Sequence, residues 1–147
     1  MATVPVPRNP RYVERVRESV ASQPLMAKLF GARVTKVEPG VVEIELDMQA
    51  DYLQPHGNAH GVILAALADS ATGYAAQTLL AAEFDVVTVE YKVNYLAPAF
   101  GARMRARGSV VRSGRSLSVC AGDVFAVDAD GEKLVAHMVA TLMAVPS

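Results

Sequence analysis

The chain has 147 residues, 52% of them hydrophobic and 20% charged, which suits one domain with its own core and excludes a disordered segment. A formal net charge of -1 excludes the bulk positive charge of a nucleic-acid or anionic-membrane binder. The single Cys120 excludes an internal disulfide, and no apolar run reaches the ~18 residues of a spanning helix.

The segment from Met1 to Pro10 lacks the apolar stretch of a signal peptide, so a soluble, cytoplasmic protein is expected. Asn9-Pro10 has the form of a helix cap with proline at the first helical position. Tyr12 or Val13, Val16 and Val20 then recur at helical spacing as far as Ser19–Ala21. Pro24 to Phe30 reads as a second short helix stopped by Gly31. Residues 1–31 are therefore expected to form a helical lid or decoration packed on the main body, residues 32–147, within a single domain.

From Val34 the period changes to two. Val42, Ile44, Leu46 and Met48 alternate with Glu43, Glu45 and Asp47, a half-buried strand behind the turn at Pro39-Gly40. The polar loop Gln54-Pro55-His56-Gly57-Asn58-Ala59-His60-Gly61 then opens an almost wholly apolar, alanine-rich helix, about Gly61 to Ala82. Four strand-like runs follow, Val86–Ala97, Arg103–Arg112, Ser116–Val127 and Leu134–Ala144, separated by turn residues. Short connections imply antiparallel pairing, and only the long helix is apolar enough to cover the sheet. The predicted fold is α+β, a curved antiparallel sheet of about six strands wrapped around one long central helix.

Asp69 is the residue this arrangement leaves to explain, because a carboxylate amid alanine and leucine is costly unless it is bonded, protonated or used. It either hydrogen-bonds a neighbour such as Ser70 or Thr72, or serves as general base toward water or as nucleophile. His60-Gly61 sits at the helix start, where free N–H groups and the positive end of the dipole suit an oxygen gaining charge; a plain cap is the alternative. Gln54 either donates to a substrate carbonyl or shapes the loop. Thr88 either places a water or is there for strand propensity, and alternation puts it with Glu90, Lys92 and Asn94, opposite Val87, Val89, Tyr91, Val93 and Tyr95.

His56 and His60 are four apart, but Pro55 and Gly57 break any helix through both, so no metal is expected. His137 reads as a packed or edge histidine. Arg103, Arg105 and Arg107 share a strand face and Arg112 and Arg115 flank the next turn; the row suits phosphates or a solvated face. Tyr74, Phe84, Tyr91, Tyr95 and Leu96 are candidates to line a pocket.

Gln54, Gly57, His60-Gly61 and Asp69 together resemble the spaced motif of the hotdog-fold acyl-CoA thioesterases of the phenylacetate-degradation (PaaI-like) type. That pattern is Asn or Gln, two residues, Gly, two residues, His-Gly, and Asp nine residues after the His. Leu67 to Ala71, Val87 to Glu90 and Asn94 to Ala99 extend the likeness, which covers about Ala32 to Met143. The chain departs from it at Val62, where a second glycine is usual, and in the extra His56. The resemblance implies hydrolysis of an acyl- or aryl-CoA to free acid and CoA, with no cofactor beyond the CoA of the substrate. The Gly61 amide would polarise the carbonyl, helped by Gln54 and His60, with Asp69 as base or nucleophile and Thr88 placing water. Asn58, Val62, Arg103, Arg112 and Arg115 would contact substrate or CoA. It further implies a homodimer that forms the site between subunits and pairs again into a homotetramer. The alternatives are a non-catalytic acyl-CoA-binding or regulatory protein, and a hydratase or dehydratase, for which no Asp and His pair is evident.

Overall fold

The computed structural model describes residues 3–147. Its elements run α1 (Tyr12–Ser22), β1 (Arg33–Glu38), β2 (Val41–Asp47), α2 (Gly61–Gln77), β3 (Phe84–Tyr95), β4 (Arg103–Ser113), β5 (Leu117–Asp128) and β6 (Gly131–Pro146). A π-type turn at Pro24–Leu29 and a 3-10 turn at Ala50–Tyr52 complete it. The six strands form one antiparallel sheet in the order β1-β2-β4-β5-β6-β3, with α2 packed on its inner face. The predicted architecture is the one observed.

The inner face is apolar because alternate residues of each central strand point at α2. Ile44, Leu46, Met104, Val124, Met138 and Leu142 are all buried there. The helix comes unusually close to the sheet at one place. Gly108 of β4 and Gly122 of β5 are direct cross-strand partners. A Cβ on Gly108 would lie 2.1 Å from Ala71 O, and one on Gly122 would lie 2.9 Å from Thr72 Cγ2. The two glycines form a seat on which the helix backbone rests, and Ala68, Ala71 and Ala75 keep the contacting side chains small.

Several boundaries differ from the sequence expectation, each for a local reason. Asn9 closes a turn ahead of α1 rather than capping it: its Oδ1 accepts from the Arg11 amide at 2.9 Å, and the helix starts at Tyr12. The long helix ends at Gln77, not Ala82. The Thr78 hydroxyl donates to Ala75 O at 2.6 Å and accepts from the Gly40 amide at 2.7 Å, and i+3 bonds at Leu79 and Leu80 tighten the chain into a turn. β3 begins at Phe84, paired with Pro146, and is over by Tyr95. Residues 3–31 are more than decoration, since Val16, Val20 and Met26 are buried in the same core cluster as the sheet and α2.

Strict alternation also fails in β3. Thr88 pairs with Leu142 and Glu90 with Thr141, so Val89 is an extra residue, a β-bulge. After it, Tyr91, Val93 and Tyr95 stand opposite Ala140, Met138 and Ala136, on the inner face. Thr88 therefore shares the inner face with the tyrosines instead of opposing them.

The glycine seat sets a test. Gly108→Ala forces a methyl group into the Ala71 carbonyl, and should lose at least the ~1–3 kcal/mol typical of overpacking, read as a lower urea midpoint. An unchanged midpoint would show that helix and sheet can separate freely at this point.

Candidate active site

The loop before α2 is tied down along its length. Gln54 N donates to Asn58 O and Gly57 N to Gln54 O, both at 2.9 Å, with Gly57 at φ +88°, a left-handed conformation that favours glycine. His60 N donates to Tyr52 O at 2.8 Å, and Ala59 N to Ala99 O at 2.9 Å. His60 is the helix cap: its Nδ1 accepts from Val62 N at 3.1 Å, so its ring is engaged locally and exposed. The Gly61 amide, one residue earlier, has no backbone acceptor among the described residues. It is left facing outward at the positive end of the helix. Tyr95 packs over Gly61, donating its hydroxyl to Gly61 O at 3.0 Å, and burial pushes its pKa up, with Tyr91 adding to the rise. Gln54, Asn58, Gly61, Tyr95 and Leu96 line a cleft of about 420 Å³.

Asp69 lies elsewhere on the same helix. It is not stranded in the core as the apolar sequence around it suggested, but half-buried on the stripe of α2 turned away from the glycine seat. The Thr88 hydroxyl donates to Asp69 Oδ1 at 2.7 Å. The β3 bulge makes this bond possible by keeping Thr88 on the inner face. Asp69, Thr88, Ser70, Gly73, Tyr74 and Gln77 are among the walls of a second cleft of about 530 Å³, roofed by the end of α1. Helical rise puts Asp69, eight residues on, about 12 Å from Gly61 along the axis. The two groups face separate clefts of one chain and cannot meet on one carbonyl within it.

The arginine row divides. Arg107 is paired with Glu43 at 2.8 Å, and Arg105 is paired with Glu132 and stacked on Phe125 at 5.1 Å. These two belong to a solvated outer sheet face, the second of the two alternatives for the row. Arg103, Arg112 and Arg115 are exposed, with no carboxylate partner among the described residues. Arg112 and Arg115 flank the β4–β5 turn, at the end of the sheet level with Thr88, because Thr88, Leu142, Ser118 and Ser113 are successive cross-strand partners. Arg103 stands at the opposite end of β4. His137 faces outward and its Nδ1 lies 2.6 Å from Asp123 Oδ1. Val62 is exposed beside Gly61, His56 lies exposed in the loop, and Phe84 and Tyr91 line neither cleft.

Sequence reasoning missed Gly73 and Gln77 as cleft residues. Their positions four and eight residues after Asp69 were a usable signal, since they share its helix face. It also missed the glycine seat, although an isolated glycine within a strand pattern marks close backbone approach.

An antiparallel sheet wrapped on one long helix is the hotdog fold, and the comparisons with known proteins make this one a thioester hydrolase. The chain belongs to the thioesterase superfamily, whose profile matches residues 56–132. A thioesterase family protein of Silicibacter pomeroyi is 43% identical and has a TM-score of 0.89, the match covering 92% of this chain and 99% of that one. A protein of Ralstonia eutropha JMP134, described as a thioesterase related to phenylacetic acid degradation, is 27% identical with a TM-score of 0.77 over 90% and 98% of the two chains. A protein of Saccharolobus solfataricus named as an esterase is 28% identical over 120 residues, 82% of this chain and 84% of that one. The hotdog, PaaI-like likeness of the chain is thereby established. No helix among the described residues is long and apolar enough to cross a membrane.

Cys120 is not a candidate nucleophile. It is fully buried, and burial pushes its thiol from 9.0 up to about 12; burial likewise raises the Tyr74 phenol from 10.0 to about 12. Both groups hold their protons more tightly folded than unfolded. The stability this represents is complete below about pH 9 and is lost as pH climbs through the interval from about 9 to 12. A disulfide reagent at pH 8 should therefore leave the native thiol unmodified and label it fully in denaturant, and the urea midpoint should fall above about pH 9. Rapid labelling of native protein would contradict the burial.

Proposed function

We propose that the protein is a cytoplasmic acyl-CoA thioesterase in which the Asp69 carboxylate is the general base. The observation that carries this reading is the Thr88–Asp69 hydrogen bond at the mouth of a cleft. Thr88 occupies Oδ1 and fixes the carboxylate plane, leaving Oδ2 to accept a proton from water. That water attacks the thioester carbonyl, and the oxygen that gains charge is held by the Gly61 N–H, with Gln54 beside it in the same cleft. Collapse of the tetrahedral intermediate breaks the C–S bond and expels the CoA thiolate. The thiolate takes up the proton held by Asp69, so that CoA thiol and the free acid leave and the carboxylate is restored. The groups used are the chain's own, with water as co-reactant. Arg112 and Arg115 are the basic groups best placed for the phosphates of CoA, being without carboxylate partners among the described residues and, unlike Arg103, at the Thr88 end of the sheet.

The separation of Asp69 from Gly61 supports a site shared between two copies. β3 is a sheet edge of 12 residues with exposed Val87, Val89, Tyr91 and Tyr95, the kind of unpaired edge that invites another strand. Antiparallel pairing of two such edges about a two-fold axis runs the two α2 helices in opposite directions. The amide end of one then comes beside the carboxylate of the other. Exposed Val119, Val139 and Met143 on the outer face leave room for dimers to pair into a tetramer.

Asp69→Asn should lower acyl-CoA turnover about 10³-fold or more with the thermal midpoint retained, and Thr88→Val about tenfold, measured as thiol release. Normal rates in Asp69→Asn would sink the mechanism. Asp69→Asn and Gln54→Ala variants, each impaired alone, should regain about a quarter of wild-type activity when unfolded and refolded as a mixture, because half the dimers are mixed and each carries one intact site. No regain would place the site within a single chain.

A further inference from the structure

Resting on the thioesterase reading, we propose that the cleft beside Asp69 is an acyl chamber kept open by Gly73. Its far end, at Tyr74 and Gln77, selects acyl groups that carry a hydroxyl at their distal end.

Beyond Gly61 at its start, three glycines touch α2 or lie in it, and they differ in kind. Gly108 and Gly122 are required by backbone contact. Gly73, in the middle of α2, is not: its φ is not positive, and an added Cβ would meet only Val86 Cγ1, at 4.0 Å. A glycine there weakens the helix relative to alanine and gains nothing in packing. What it does provide is space, directly between Asp69 and Gln77 on the helix face that lines the cleft.

The far end of that face carries two polar atoms without partners. The Tyr74 hydroxyl and Gln77 Oε1 are both buried and meet no partner at good hydrogen-bond geometry among the described residues, in residues only 6% and 4% exposed. Unpaired buried polar atoms are costly and call for an explanation. The Gln77 amide is oriented, since its Nε2 lies 3.4 Å from Asp85 Oδ1, and Asp85 is itself paired with Arg15 at 2.7 Å. The phenol keeps its proton at neutral pH, burial outweighing the opposing pull of Gln23. One ligand hydroxyl can donate to Gln77 Oε1 and accept from the Tyr74 O–H, satisfying both. A hydrocarbon end satisfies neither. Gln23, an exposed side chain just past α1, offers the phenol a weak side-chain hydrogen bond and is the group a ligand hydroxyl displaces.

The test compares kcat/KM for hexanoyl- and octanoyl-CoA with their ω-hydroxy counterparts, and with acetyl-CoA. The wild type should prefer the hydroxylated member of a pair by about tenfold or more, and Tyr74→Phe should bring that ratio towards one. Gly73→Ala should raise the thermal midpoint by about 2–4 °C while lowering the octanoyl-to-acetyl ratio. A wild-type ratio near one, a ratio unmoved by Tyr74→Phe, or a lower midpoint in Gly73→Ala would each overturn the chamber. If no acyl-CoA is hydrolysed, calorimetric binding of non-hydrolysable thioether analogues separates the two ideas. A hydroxyl preference lost in Tyr74→Phe keeps the chamber and overturns hydrolysis, whereas equal binding overturns the chamber itself.

Discussion

The contact between the α2 backbone and the Gly108–Gly122 pair is the constraint on which the other features hang. With side chains at those two positions the helix would ride higher on the sheet, because a Cβ at Gly108 would overlap the Ala71 carbonyl. The seat fixes the depth of the helix and also its rotation, since Ala68, Ala71 and Ala75 must face down. Rotation in turn decides that Asp69, one residue past Ala68, comes out at the flank. From there it reaches Thr88 on the edge strand. A carboxylate that seemed an intruder in an apolar helix is thus a flank residue of a helix whose other faces are apolar because they are covered.

Much of this was legible in the chain. The six strands follow from period-two runs with turn residues between them, and the helix from its unbroken apolar composition. Gln54, Gly61 and Asp69 could be singled out because their spacing is local and their chemistry unusual for their surroundings. What could not be read was set by partners distant in sequence. Leu79, Leu80, Ala81 and Ala82 continue the helical composition, and the helix stops only because the Thr78 hydroxyl meets an amide 38 residues earlier. The surplus residue at Val89 has no compositional mark, being another valine in a valine-rich strand. Its effect on the face assignment of Thr88 is nonetheless complete.

The amino-terminal segment shows the same division. Its helices were visible, but not that they complete the core with Val16, Val20 and Met26. Arg15 explains how they are held. Its guanidinium bonds Phe84 O and Asp85 Oδ1, each at 2.7 Å, and approaches Ser147 Oγ at 3.3 Å. One side chain thereby fastens α1 to the start of β3 and to the last residue of the chain, and so holds the roof of the Asp69 cleft in place. Such long-range fastening by a flexible cation leaves no periodic trace.

Placing the Gly61 amide and the Asp69 carboxylate on one continuous helix turns their separation into a matter of covalent geometry. A helix is a ruler: its rise per residue does not vary with loop motion, crowding at the surface or the identity of neighbouring side chains. Groups on loops drift as their surroundings change, whereas these two are indexed to each other by a count of residues. The walls that face α2 across the clefts come from α1, the edge strand and the loops before α2 and after the edge strand. Alterations there can reshape what is admitted without disturbing the interval between the two groups. With the two groups serving different copies, as proposed, the fixed interval along α2 sets how far apart the two clefts of one chain lie. It thereby sets how far apart the two shared sites of a dimer sit, while the walls around them stay free to vary.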